Sequence, residues 1–298
     1  MSKWQGKSKG SKRGYSIFVW TLKKLGVYPA YFLLRFVTLY YFIFSFRSSK
    51  AVFYYFHKRM RYSVVSSIFK IYSNYFHFGQ SLIDKVVIMS GLPNSFTFNF
   101  DGEENLKKII KKGKGGILLS AHIGSWEAAG HLLKRLGTRI NIVMYDGEQP
   151  QIKEYLETVI DERNLNINII IIRDHISHIY EISEAFNKNE LICMHADRFL
   201  EGNRTISFNF LGEEALFPLG PFLLAAHFKV PVSFVFSMKE TSSHYHFFAG
   251  EIKEYDQGSK KINIQKIIAD FVEEMEKKVK AYPLQWYNYY NFWQSKSW

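Results

Sequence analysis

Apolar runs alternating with amphipathic stretches predict an α/β body with a mostly parallel central sheet flanked by helices, preceded by a basic, aromatic helical module. Three observations carry this expectation. Runs such as GGILLSA (115–121), NINIIII (166–172) and VPVSFVFSM (230–238) are apolar almost throughout, as strands covered on both faces must be. Helical stretches separate them, which is the pattern of parallel strands joined by crossovers. Charge supplies the third: residues 1–83 hold 14 Lys and Arg and no acid, whereas residues 84–298 hold 25 bases and 27 acids. Gly91-Leu92-Pro93 is a helix-stop signal next to that shift, so the chain divides into an N-terminal segment, 1–92, and a body, 93–298.

Residues 1–14 are polar and rich in Gly, Ser and Lys and read as unstructured. Residues 28–46, YPAYFLLRFVTLYYFIFSF, are the greasiest stretch, and 48–92 reads as helical with mixed faces. In the body, FTFNF (96–100) reads as a strand and EENLKKIIKK (103–112) as an amphipathic helix with a basic outer face. GGILLSA is a buried strand, followed by a helix over 125–136 that stops at Gly137. RINIVMY, NINIIII and ELICMH are three more strands, with helical stretches near 151–162 and 175–187. PLGPFLLAAHF (218–228) is a helix, VPVSFVFSM and SHYHFFAG are strands, and 260–280 is a long closing helix.

The composition is 47% hydrophobic and 17% aromatic, which suits a wide apolar interior or a membrane interface. The single cysteine, Cys193, excludes an internal disulfide framework and a cysteine-rich zinc site. Net charge is +12, yet the body is near neutral, which argues against a nucleic-acid partner and fits attraction of the N-terminal segment to an anionic membrane surface. The 28–46 run is close to the ~20 residues a spanning helix needs, but Arg35 interrupts it. Three readings stay open: an anchor lying in one leaflet, a single span that accommodates Arg35, or rings packed on the body. Basic residues on both flanks (Lys23, Lys24, Arg47, Lys50, Lys58, Arg59, Arg61) favour the interfacial anchor, with both flanks on the cytoplasmic side.

His122 directly follows the ILLSA strand, and Glu127 comes five residues later. Five positions within one regular helix differ by about 140° and do not meet. Across a strand–turn–helix junction they can, with Gly124 making the turn, so that a carboxylate fixes the tautomer of a general base. The alternative is an ordinary structural pair. This His-x4-acid spacing resembles the motif of the glycerolipid acyltransferase superfamily. Its later blocks resemble, in order, IIIIRD with Arg173, Glu201-Gly202-Asn203-Arg204-Thr205, and Val230-Pro231-Val232. Within that superfamily the chain resembles the late acyltransferases of bacterial lipid A biosynthesis, through the Glu of the motif, HADR (195–198), SFNFLG, PLGPFLLAA and the ending YPLQWYNYYNFW. Arg198 stands where that family usually has Gln, and EGNRT is closer to the glycerol-phosphate branch.

The resemblance implies transfer of a fatty acyl chain from a thioester, on acyl carrier protein or as acyl-CoA, to a hydroxyl of a lipid acceptor at the cytoplasmic face of the inner membrane. It implies His122 as base oriented by Glu127. Arg173, Asp197, Arg198, Glu201, Gly202 and Arg204 would bind substrate, the arginines suiting phosphate or carboxylate. No metal or other cofactor is expected. An acceptor other than a lipid A-type glycolipid (an aminolipid, lysophospholipid or pigment lipid) and a non-catalytic membrane scaffold are the alternatives. Residue by residue, other readings stand beside these: Arg173 and Arg204 as salt-bridging arginines, Asp197 as a turn cap, His195 as a satisfied histidine at a strand end, Cys193 as a small buried hydrophobe. The closing aromatics are an acyl pocket lining, a membrane contact or core. The KKIIKKGKGG cluster (107–116) reads as a basic face toward carrier protein or membrane.

Overall fold

Nine strands appear among the residues that the structure, a computed structural model, describes: 12–125, 134–145, 166–172, 176–255 and 257–293. They are β1 (Thr97–Asp101), β2 (Gly116–Ser120), β3 (Ile140–Tyr145), β4 (Ile167–Ile172), β5 (Leu191–His195), β6 (Thr205–Phe210), β7 (Glu213–Pro218), β8 (Val232–Lys239) and β9 (His244–Ala249). Seven form one sheet in the order β1-β9-β8-β2-β5-β3-β4. From β8 to β4 all neighbours are parallel; β9 returns antiparallel to β8 and carries β1 parallel to itself. β2 and β8 are buried at every position, which explains why their sequences do not alternate.

Two apolar layers cover the sheet. Ile117 and Leu119 of β2 and Ile192 and Met194 of β5 point into the larger layer, while Leu118, Leu191 and Cys193 point to the other face. The smaller layer is closed by Leu106 and Ile109 of α5 (Glu103–Lys111). The larger is closed by α6 (Ser177–Asn187), α7 (Leu219–Phe228) and α8 (Lys260–Ala281), the last burying Ile267, Ile268, Phe271, Val272, Met275 and Val279. An element absent from the sequence expectation is the antiparallel β6–β7 hairpin, in the stretch read only as the SFNFLG block. Its turn runs through Leu211 and Gly212, both at positive φ (52° and 80°). It carries Phe210 and Phe217 into a nest with Trp286, Phe292 and Trp293, so these closing aromatics are core.

Among the described residues the N-terminal segment holds four α-helices: α1 (Lys12–Leu25), α2 (Val27–Phe44), α3 (Phe46–Tyr54) and α4 (Val64–Ser90). Residues 12–14, which belong to the stretch read as unstructured, are already helical. The 48–92 stretch is also not one helix: a π-turn (Tyr55–Arg59) and Arg61 at φ 58° break it, and Ser63 caps α4 by accepting from the Ser66 N–H at 3.2 Å. Gly91 at φ 59° ends α4, as the stop signal requires. One face of α2 (Ala30, Tyr31, Leu34, Thr38) is buried, and α2 packs along α4. Gly79 permits the close approach, since a Cβ there would lie 2.4 Å from Leu34. The opposite face leaves Phe32, Phe36, Leu39, Tyr40, Ile43 and Phe44 exposed. α4 is tied to the body: Asn74 donates to the carbonyls of Leu284 (3.0 Å) and Trp286 (3.1 Å), and Asp84 meets Lys239 and Tyr245. Val52, Tyr55, Phe56, Ile71 and Tyr75 share the larger core layer, so the charge shift near residue 84 is not a gap in packing.

Candidate active site

β2 and β5 are parallel neighbours with Ser120 opposite His195. Each strand runs on through one alanine, Ala121 or Ala196, to a polar residue two positions past that pair: His122 and Asp197. The register therefore sets them side by side at the carboxyl end of the sheet, where active groups of parallel sheets collect. Asp197 is 1% exposed and grips His122 twice. Its Oδ2 accepts the His122 main-chain N–H at 3.0 Å, and its Oδ1 meets the ring Nδ1 at 2.7 Å. His195 lies on the other side of the ring, with its Nδ1 3.2 Å from His122 Nε2 and ring centroids 4.2 Å apart. The histidine read as merely satisfied at a strand end thus touches the second nitrogen of His122.

The turn after His122 is locked. Gly124 is at φ 69°, and a Cβ there would sit 2.0 Å from the Ser237 carbonyl, so both conformation and space demand glycine. The Ser125 N–H donates to Ser237 O (2.8 Å) and the Gly124 N–H to Gln285 O (2.8 Å), while the Tyr287 N–H donates to His122 O (3.0 Å). The segment 285–287 is therefore a strap along the turn that follows His122. Gln285, 4% exposed, fixes it: its Nε2 donates to Lys239 O (2.7 Å) and its Oε1 accepts the Lys239 N–H (2.9 Å) at the end of β8. Arg198 donates to Tyr287 O, and Phe78 of α4 packs on the Tyr287 ring at 5.1 Å. The N-terminal helix α4 and the turn after His122 thus meet at one strap.

Burial opposes charge on Asp197, but the neighbouring His122, its hydrogen bond to that ring, Arg198 and His195 outweigh it and hold the carboxyl well below the usual carboxylate range. Burial, with His122, Arg198 and Lys85 nearby, pushes His195 well below the usual histidine range against the attraction of Asp197, so it is neutral at neutral pH. Asp197 on Nδ1 selects the tautomer with a lone pair on Nε2, the arrangement of a base held by a carboxylate. Burial pushes the Cys193 thiol up to about 12, leaving no thiolate to act as nucleophile.

The sequence-predicted residues fall into three groups. His122, Asp197 and Arg198 come together. Glu201, Gly202 and Arg204 lie on the exposed turn between β5 and β6, where Asn203 donates to the Tyr145 hydroxyl at the carboxyl end of β3, the same end of the sheet. Glu127 and Arg173 lie outside the described residues, as does most of the 125–136 helix expectation. His195 and Gln285 were not singled out as site residues; only the adjacency of β2 and β5 and the path of the strap reveal them. The KKIIKKGKGG cluster sits elsewhere. Lys112 and Lys114 pair with Glu254 (2.8 and 3.0 Å) just before β2, hence at the opposite end of a five-residue strand, about 17 Å from the His122 end. Among the described residues, no group of three or more His, Cys, Asp and Glu is placed to hold a metal.

The profile of the bacterial lipid A biosynthesis acyltransferase family matches residues 74–295. No curated protein matches the sequence. Among solved structures, the crystal structure of the 1-acyl-sn-glycerophosphate (LPA) acyltransferase PlsC from Thermotoga maritima aligns over 84% of this chain and 97% of its own, at 15% identity and a TM-score of 0.38.

Proposed function

We infer what this chain does from the family it belongs to, the bacterial lipid A biosynthesis acyltransferases: it is an acyltransferase of lipid biosynthesis, and we propose that it acylates a hydroxyl of a lipid A-type glycolipid precursor. The donor in this reading is a fatty acyl thioester, on acyl carrier protein or as acyl-CoA. The observation that carries the mechanism is the double grip of Asp197 on His122 at the end of β2. With Nδ1–H held, His122 Nε2 serves as the base for the acceptor hydroxyl. The hydroxyl oxygen attacks the thioester carbonyl, the tetrahedral oxyanion collapses, and the departing thiolate takes back the proton. Glu127, the acid of the motif, keeps in this reading the orienting role on His122 that the motif implies. The N–H groups of Gly124 and Ser125 are engaged with Gln285 O and Ser237 O, so the oxyanion is held by other donors in this reading.

Arg173, Arg198 and Arg204 are proposed to hold phosphate or carboxylate groups of the acceptor, with Glu201 and Gly202 shaping the turn. Because Arg198 and the EGNRT turn depart from the lipid A pattern, an acceptor with a smaller anionic head, such as an aminolipid or lysophospholipid, is the second reading. The proposed membrane face joins the exposed side of α2 to Trp20 of α1 and Val64, Val65, Ile68 and Phe69 of α4. α2 is the one helix among the described residues long and apolar enough to span. Its packing along α4 instead favours an interfacial position, with Arg35, Arg47 and Lys50 toward anionic headgroups. Membrane lipids compared by mass spectrometry with and without the gene test the acceptor. Loss of one acyl chain from lipid A supports the first reading; intact lipid A with an unacylated aminolipid or lysophospholipid rejects it for the second.

A further inference from the structure

We propose that Asn74 of α4 is a positioning residue for His122, acting through the strap, so that α4 is a working part of the active site. The inference rests on the acyl-transfer reading and deepens it. Asn74 is 0% exposed, and its Nδ2 is engaged twice, donating to the carbonyls of Leu284 (3.0 Å) and Trp286 (3.1 Å). Two carbonyl partners fix which end of the amide faces them, because only the NH₂ can donate. Oδ1 has no donor among the described residues, so what this side chain offers is its pair of N–H groups. Gln285 holds the strap to β8 through the Lys239 main chain and leaves both of those carbonyls to Asn74.

A single peptide group carries this hold to His122. The carbonyl of Trp286 and the N–H of Tyr287 belong to one planar unit and point in opposite directions. The carbonyl accepts from Asn74, and the N–H donates to His122 O at 3.0 Å. Trp286 itself is extended (φ −94°, ψ 113°), which turns the Gln285 carbonyl away from that of Trp286 and onto the Gly124 N–H at 2.8 Å. One edge of the strap is thus bonded to α4 and the other to the turn after His122, where Ile123 and Trp286 pair as an antiparallel bridge. His122 is held through both main-chain groups, its N–H by Asp197 at 3.0 Å and its carbonyl by Tyr287. The first hold comes from the end of β5 and the second from α4 by way of the strap. Loss of Asn74 frees the 286–287 peptide to turn, and a displacement of about 1 Å at a reacting group costs on the order of a hundredfold in rate.

The test uses the full-length enzyme in phospholipid vesicles, with an acyl carrier protein thioester as donor. The acceptor is whichever of a lipid A-type precursor and a lysophospholipid the wild type acylates. Asn74→Ala is expected to lower kcat by about ten- to a hundredfold with little change in KM, because the side chain acts on the base and not on substrate. Asp84→Ala, on the same helix, loses a bond to the Lys239 side chain and none to the strap, and is expected to keep its kcat in the folded fraction. In the double variant with Gln285→Ala, the Asn74→Ala loss is expected to shrink, because both residues hold one segment. A folded Asn74→Ala enzyme with kcat within about threefold of wild type overturns the inference, as does a loss confined to KM. An equal kcat loss in Asp84→Ala, or fully multiplicative losses in the double variant, overturns action through the strap. Should Asn74→Ala fail to fold, Asn74→Ser, which keeps one donor, decides by the same split between kcat and KM. Retained transfer by His122→Ala overturns instead the acyl-transfer mechanism itself, so the two failures are distinguishable.

Discussion

Among the described residues two carboxylates are almost completely buried, Asp197 at 1% and Asp84 at 0% exposure, and they are treated in opposite ways. Asp197 has histidines and Arg198 around it, and its carboxyl is held below the usual range. Asp84 meets Lys239, Tyr31 and Tyr245, with Lys239 Nζ also 2.8 Å from the Tyr31 hydroxyl. Burial nevertheless raises Asp84 against the pull of Lys239 and those hydrogen bonds, and burial lowers Lys239 in turn. The Asp197 group presents an imidazole that is still 26% exposed, while the Asp84 group seals four elements, α2, α4, β8 and β9, around one ion pair. Burial alone therefore does not mark a reactive carboxylate; what it holds does. Asp197 holds the His122 ring, and Asp84 holds the N-terminal helices α2 and α4 on the sheet.

Breaking each group should separate the two roles. Asp197→Asn keeps shape but loses the charge that selects the His122 tautomer. A kcat decrease of about 10³–10⁴-fold is expected, measured as acyl transfer by folded enzyme. Asp84→Ala leaves Lys239 buried without its carboxylate. A stability loss of about 3–5 kcal/mol is expected in denaturant titration, with kcat of the folded fraction near wild type. The double variant Asp84→Leu/Lys239→Met should recover much of that loss, because an apolar pair carries no desolvation cost. Full retention of stability in Asp84→Ala would mean that the ion pair contributes nothing.

Between the groups lies Gln285, which binds both polar atoms of the Lys239 main chain and feeds its own carbonyl to Gly124. Gln285→Ala should lower kcat about tenfold and stability by about 1–3 kcal/mol, the cost of leaving buried peptide groups unpaired. Acid should also act unequally on the two groups. His195 stays neutral when folded, while its unfolded counterpart binds a proton near pH ~6.5. Stability is thus full above that value and declines as pH falls below it. Asp197 adds to the decline only at lower pH, below its unfolded value of ~3.9 and down toward its depressed folded value. His195→Gln should flatten the melting-temperature profile between about pH 6.5 and 5; an unchanged slope rejects His195 as its cause. The smallest effect is expected for Lys112→Ala, which breaks one surface pair with Glu254 and should change stability by no more than about 0.5 kcal/mol.

Much of the sheet was legible because its strands are covered on both faces and read as unbroken apolar runs, β2 and β8 above all. The β6–β7 hairpin was not, because its turn puts Leu211 rather than Asn or Gly at the first left-handed position, hiding the usual signal. The break before α4 had a visible cap in Ser63, but Arg61 at positive φ has no local sequence mark. In the site, His122 and the Gly124 turn were readable from one strand end. The contact with Asp197 and His195 was not, because β5 reaches β2 only after two intervening strands have been laid outside it. Arg198 was legible as a polar residue at a strand end, but its hold on the strap depends on a segment 89 residues away.

The central claim is that His122, held by Asp197 at the end of β2, is the base of an acyl transfer. The most direct measurement is turnover of His122→Ala against wild type in vesicles, with acyl carrier protein thioester as donor, alongside thermal unfolding of both. The account predicts transfer reduced by about 10³-fold or more with the unfolding temperature within a few degrees of wild type. Turnover within tenfold of wild type in a folded His122→Ala enzyme would contradict it.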